Sequence, residues 1–268
     1  YPITGIAFML YMFSFLLVWA ITLVLSPVLL PNGFMAALEQ CKHVMGEIIL
    51  GGAMMSLGLV ISLTIMNDLG LMLATTLSGA VTSIMGIATS ISKEGLPDKP
   101  MALVLIVATA VIFIVAGYIC SKASQMCAQD RMAAEGVRQE KPKSKVTLKV
   151  VVWILVDCLL MKGWASGTAT GTAAGLPPIM TCAFMVTGSA LSVLVLGLVL
   201  FTWKKQWKTV LCIGSSKKPL VMSAISAVCH YGGNVLSIYS MPAISATLSF
   251  LFGKTSTIWT YFWGFYYR

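Results

Sequence analysis

The sequence predicts an all-α integral membrane protein, a multi-helix bundle, and three observations carry that prediction. Of the 268 residues, 58% are hydrophobic and only 10% are charged, whereas a soluble domain carries about a quarter charged residues. The mean hydropathy is +0.89, more apolar surface than a soluble core of this size can hide. The apolar residues are gathered into runs of roughly 20, the length at which 1.5 Å of rise per residue crosses about 30 Å of hydrocarbon. Disorder is excluded by the same composition. Barrel-like alternation of apolar and polar residues is not seen.

Eight spans are expected, at about 3–30, 46–67, 69–92, 101–121, 146–166, 178–203, 219–239 and 243–264. The first is longer than a signal-peptide core of about 7–15 residues and reads as a spanning helix. Polar punctuation separates the runs. PNGFMAALEQCKHV follows the first, Asn67-Asp68 reads as a tight turn, and KEGLPDKP parts the third from the fourth. The longest polar stretch, KASQMCAQDRMAAEGVRQEKPKSK, sits mid-chain. The uncharged GWASGTATGTAAGLPP, the basic WKKQWKTVLCIGSSKKP and a short turn around Tyr239-Ser240-Met241-Pro242 join the later spans. Domain organisation follows: first-half helices over 1–121, a basic cytoplasmic linker over 122–145 and second-half helices over 146–268. The chain opens on Tyr1 and stops at Arg268, where a helix ends, so it is expected to be a fragment missing material at both ends.

The net charge of +9 is explained by topology. Lys122, Arg131, Arg138, Lys141, Lys143, Lys145 and Lys149 lie in or beside the linker. Lys204, Lys205, Lys208, Lys217 and Lys218 lie around the WKKQWK loop, and Arg268 follows the last span. Alternation puts these on one face of the membrane, against Lys42, Lys93, Lys99 and Lys162 on the other. This asymmetry places both ends of the chain in the cytoplasm, with a plasma membrane (the inner membrane in a bacterium) as the expected location. The basic residues lack the interleaved aromatics of a single-strand platform, so nucleic acid is not an expected partner. The lipid bilayer is, and the linker's charge also suits anionic headgroups.

Four helices, a linker and four helices suggest two halves. With one more helix at each end this becomes five plus five, the inverted repeat common among transporters. Thr76-Leu77-Ser78 and Thr247-Leu248-Ser249 supply a local echo.

The stretch "GAMMSLGLVISLTIMNDLGLMLATTLSGAVTSIMGIATSI" resembles the third and fourth helices of the L-rhamnose–proton symporters of the drug/metabolite transporter superfamily, through Gly52-Ala53-Met54, Gly58, Leu69-Gly70 and Gly86. "WAITLVLSPVLLPNG" resembles the end of that family's second helix, and "AAGLPPIM" and "PAISATLSF" resemble later segments. "CHYGGNVLSIYS" and "FWGFYYR" are similar to plant ureide permeases. The resemblance spans most of the chain at low identity and implies ten helices in inverted repeats, of which this chain would hold helices two to nine. Asp157 and Lys254 are not carried by it.

Ionisable residues at bilayer depth are costly and mark function by default. Asp157, His230 and Lys254 each fall within about one helical turn, ~5 Å, of the middle of their expected spans. Asp157 is expected to face Lys254, directly or through water, as a proton or substrate switch or as a structural pair. His230 reads as a proton relay or a packing histidine. Asn234, after Gly232-Gly233, offers a donor and an acceptor, and the glycines are expected to thin or unwind the helix there. Thr75, Ser78 and Thr82 could line a cavity and bind hydroxyls, or pack helices. Trp164 and Tyr239 suit a stacking wall or an interfacial belt. Lys162, about 140° around the helix from Asp157, is expected to snorkel. Glu47 is expected at the interface and Asp68 at a cytoplasmic turn. The seven cysteines show no CxxC and read as free thiols, and two histidines leave no metal site in view.

The expected function is secondary transport of a small polar solute, a sugar such as rhamnose or a relative, coupled to protons and needing no cofactor. The alternatives are a drug/metabolite exporter or a ureide permease. No Walker-type loop or enzyme signature is present; a membrane-embedded enzyme or a channel fits less well.

Overall fold

The computed structural model describes residues 1–69 and 148–244, with scattered positions between 74 and 130. The described residues are helical apart from turns and short connections, with no strand among them. In chain order the helices are α1 (Ile3–Val24), α2 (Ser26–Leu29), α3 (Phe34–Cys41), α4 (Met45–Leu69), α5 (Leu148–Ala173), α6 (Pro178–Trp203), α7 (Trp207–Val210) and α8 (Lys218–Ile244). Five of them, α1, α4, α5, α6 and α8, are long and apolar enough to cross a membrane. At 1.5 Å per residue the shortest of the five, with 22 residues, spans about 33 Å. The expected spans at 69–92, 101–121 and 243–264 lie wholly or largely outside the described residues.

Four expected boundaries are corrected. The first span does not reach residue 30: α1 ends at Val24, and Pro27 opens the separate turn of α2. A proline carried on into α1 would lack an N–H and press on the carbonyl four residues back. Asn67 and Asp68 belong to the last turn of α4 and do not form a loop. The small-residue stretch after Gly163 continues α5 to Ala173. Its stop is Gly175, at φ +66°. Gly175 N–H donates to Thr172 O and Leu176 N–H to Gly171 O, both at 3.0 Å, the paired closure of a Schellman cap. Pro177 follows, and Pro178 occupies the first turn of α6, where its missing N–H costs nothing. Finally, α8 runs through Tyr239-Ser240-Met241-Pro242 to Ile244, and Gly232-Gly233-Asn234 stay helical within it.

Two compact units divide the chain: Tyr1–Val60 with Leu159–Lys254, and Ile61–Cys158 with Thr255–Arg268. In the first, α1 packs against α6 and α8. Its core joins Phe8, Tyr11 and Val18 to Cys182, Val186, Val193, Phe201, Tyr231 and Ile238. Phe8, Phe201 and Trp207 meet edge to face at 5.3–5.9 Å between centroids, the geometry that aromatic quadrupoles favour.

Within the same unit α4 approaches α5 and α6 backbone to backbone. A Cβ at Gly52 would overlap the carbonyl of Met185, and one at Gly188 would overlap that of Ile49. A Cβ at Gly51 would stand 2.6 Å from Gly163 O. Lipid offers no hydrophobic drive for helix association, so small residues that permit dispersion contact and interhelical hydrogen bonds set the packing. Ser189 uses that closeness, donating 2.8 Å to Gly52 O, and Ser56 and Ser192 share a 2.5 Å hydroxyl contact. In the second unit Ile65, Leu69, Ala74, Ile154 and Cys158 form a separate apolar cluster.

The lysines of the α6–α8 connection, Lys204, Lys205, Lys208, Lys217 and Lys218, are all exposed. Lys205 and Cys212 adopt left-handed conformations, φ +53° and +51°. Each closes a helix end by the same paired bonding seen at Gly175, here with Phe201 O and Lys208 O as the far acceptors.

Candidate functional site

Asp157 is the central residue of the second unit. It is 2% exposed on α5, three residues after Ile154 and next to Cys158, both members of the apolar cluster. Ser62, one turn before Met66 on α4, donates a 2.8 Å hydrogen bond to its Oδ2. Oδ1 is buried with no partner among the described residues. A carboxylate can accept about four hydrogen bonds, so the group retains free accepting capacity in a place where water is scarce. An unsatisfied buried oxygen marks either a strain reservoir or a position kept for a missing ligand, proton or ion. Lys254 lies outside the described residues, as does any pairing of it with Asp157.

Ser78 is helical and half-buried in the second unit, and its carbonyl lies 3.8 Å from Cys158 Sγ. Thr75 and Thr82 lie outside the described residues. No group of three His, Cys, Asp or Glu side chains capable of holding a metal occurs among the described residues.

The first unit contains a second polar cluster, on α1, α6 and α8. His230 and Asn234 sit one turn apart on α8, with Nε2 of the imidazole 3.5 Å from Nδ2 of the amide. The His230 ring meets the edges of Tyr231 and Tyr11, with centroids 5.4 and 6.1 Å away. Tyr231 Oη reaches Ser189 Oγ at 3.3 Å. Tyr11 Oη is fully buried and has no partner among the described residues. Of this cluster the sequence pointed to His230 and Asn234. It missed Tyr11, which lies in the apolar run MLYMFSF with Ser14 as the other hydroxyl.

The remaining sequence-predicted residues are placed as follows. Trp164 is half-buried against both apolar clusters of the first unit. Tyr239 is 38% exposed. Lys162 is exposed on α5. Glu47 is exposed in the first turn of α4 and accepts from Thr170 Oγ1 at 3.3 Å. The structure thus joins His230 to Asn234, and it gives Asp157 a partner, Ser62, that the sequence did not suggest. Among the described residues Cys41, Cys158, Cys182, Cys212 and Cys229 form no disulfide.

No family model, curated protein or solved structure matches this chain. The residues must therefore carry the functional argument. A buried carboxyl with one donor can hold or release a proton, or accept from a solute hydroxyl. The α8 cluster has neutral donors and acceptors suited to a hydroxylated or amide-bearing solute.

Proposed function

We propose that this protein is a secondary active transporter that moves a small polar metabolite across the membrane, coupled to protons. The observation that carries the reading is the Asp157 carboxyl, which among the described residues is held on a candidate spanning helix by Ser62, with no partner for its second oxygen. Intramembrane carboxyls of this kind serve proton relays and substrate pathways. Protonating Asp157 removes a charge from the interior and changes what Ser62 and the free oxygen can bind. The five candidate spans support a polytopic carrier. The resemblance to L-rhamnose–proton symporters extends the proposal to a ten-helix inverted repeat, to a sugar such as rhamnose as solute, and to a plasma membrane with both ends of the chain cytoplasmic. Ureide permeases supply the competing solute.

Uptake of labelled L-rhamnose and allantoin into vesicles containing the purified protein tests this, with and without an imposed pH gradient. The expected result is gradient-stimulated uptake of one solute that Asp157→Asn abolishes. Uptake indifferent to the gradient and to Asp157→Asn overturns proton coupling. Uptake of neither solute overturns the solute class.

A further inference from the structure

The Tyr11 hydroxyl is in the wrong place for a packing residue. Its side chain is 0% exposed, so water from outside does not reach it in this conformation, and its Oη has no hydrogen-bond partner among the described residues. Phenylalanine would fill the same space without burying an unsatisfied polar atom, which is costly. The neighbouring Tyr231 shows the ordinary solution: it is equally buried, and its hydroxyl meets Ser189 Oγ. Tyr11 instead stands edge-on to His230 and Tyr231, with centroids 6.1 and 6.3 Å away. His230 in turn has Asn234 at 3.5 Å. A Cβ added at Gly232 or Gly233 would meet no described atom within 4 Å.

We propose that Tyr11, His230 and Asn234 form a binding site in the first unit for a neutral hydroxyl group. A phenol and an amide each donate and accept, and a neutral imidazole does one at each nitrogen. That set complements an oxygen that also does both, and includes no carboxylate or ammonium to select an ion. The oxygen belongs to a solute hydroxyl or to a bound water. Only the solute arm rests on the carrier reading above.

The test uses the purified full chain with labelled histidine. Two histidines occur, His43 and His230, so His43→Gln leaves one imidazole whose nitrogen resonances report its tautomer and partners. Tyr11→Phe is expected to lower the thermal midpoint and to shift the His230 resonances, because a hydrogen-bonded oxygen loses its donor. Tyr231→Phe keeps the ring contact and is expected to leave those resonances in place. If the oxygen is a solute's, L-rhamnose shifts them in the wild type, and Tyr11→Phe raises the midpoint of that titration about two- to tenfold. If it is water's, the Tyr11→Phe shift occurs without rhamnose, and water protons cross-relax with the ring in the wild type. A Tyr11→Phe protein that melts higher with unmoved resonances overturns the site. So does a wild-type ring with no cross-relaxation from water or rhamnose, a readout that does not require the variant to fold. Failed vesicle uptake with these signals intact would fault the carrier reading and leave the site standing.

Discussion

Ser62 on α4 donates a 2.8 Å hydrogen bond to Asp157 on α5, and the other oxygen of that carboxyl is buried without a partner among the described residues. The serine is the one described donor to a carboxyl within an apolar cluster, which makes the pair unequal. Removing the donor leaves both oxygens unsatisfied, whereas removing the carboxyl leaves only a hydroxyl.

Ser62→Ala should therefore destabilise the folded protein by about 1–3 kcal/mol. The double variant Ser62→Ala/Asp157→Leu should recover most of that loss, since replacing both polar partners by apolar groups can be nearly neutral. Thermal unfolding of the four members of this cycle in detergent checks the coupling; additive losses would deny it.

Gly52→Ala places a methyl group against the Met185 carbonyl, where only a shift of two helices makes room. A cost of about 1–3 kcal/mol is expected, as for other overpacked sites. Gly46→Ala, in the same helix with open space around it, should be neutral or stabilising by up to about 1 kcal/mol. The recovery of monodisperse protein after graded heating ranks the two.

Tyr1 ties the start of α1 to α7 by donating 2.6 Å to Val210 O. Burial first, and Cys212 second, push its phenol up to about 12, from about 10 in an unfolded chain. The folded state thus favours the neutral phenol. The stabilisation is fully present below about pH 10 and disappears as pH rises through about 12. Ultraviolet titration should show one tyrosine ionising at this upper limit that Tyr1→Phe removes.

Single-cysteine variants should separate by exposure. Cys229 is exposed, while Cys41, Cys182 and Cys212 are buried. A small maleimide should label Cys229 fastest in detergent. Cys41 should lag further at neutral pH, because burial raises its thiol and the thiolate is the reactive form. Equal rates at Cys41 and Cys229 would contradict the packing of α3.

Much of the helical architecture was legible from composition, because a run of apolar residues with almost no charge has one stable form in lipid. That reading placed the bodies of α4 and α6 within a few residues of where they lie. It failed where backbone chemistry outranks hydropathy. Pro27 breaks an apolar run that looked continuous, and Gly175 ends α5 well past the last strongly apolar residue. Pro242 near the end of α8 did not stop that helix.

The sequence by itself determined that this chain carries helices long and apolar enough to cross a membrane, and it singled out Asp157, His230 and Asn234 within them. Only the tertiary structure decided their company: Ser62 at Asp157, and beside His230 a Tyr11 whose hydroxyl has no partner among the described residues. The reason is physical. Hydropathy depends on each residue in its own window, whereas a hydrogen bond depends on which faces of two distant helices meet, and the Gly51, Gly52 and Gly188 contacts set that only once the chain has packed.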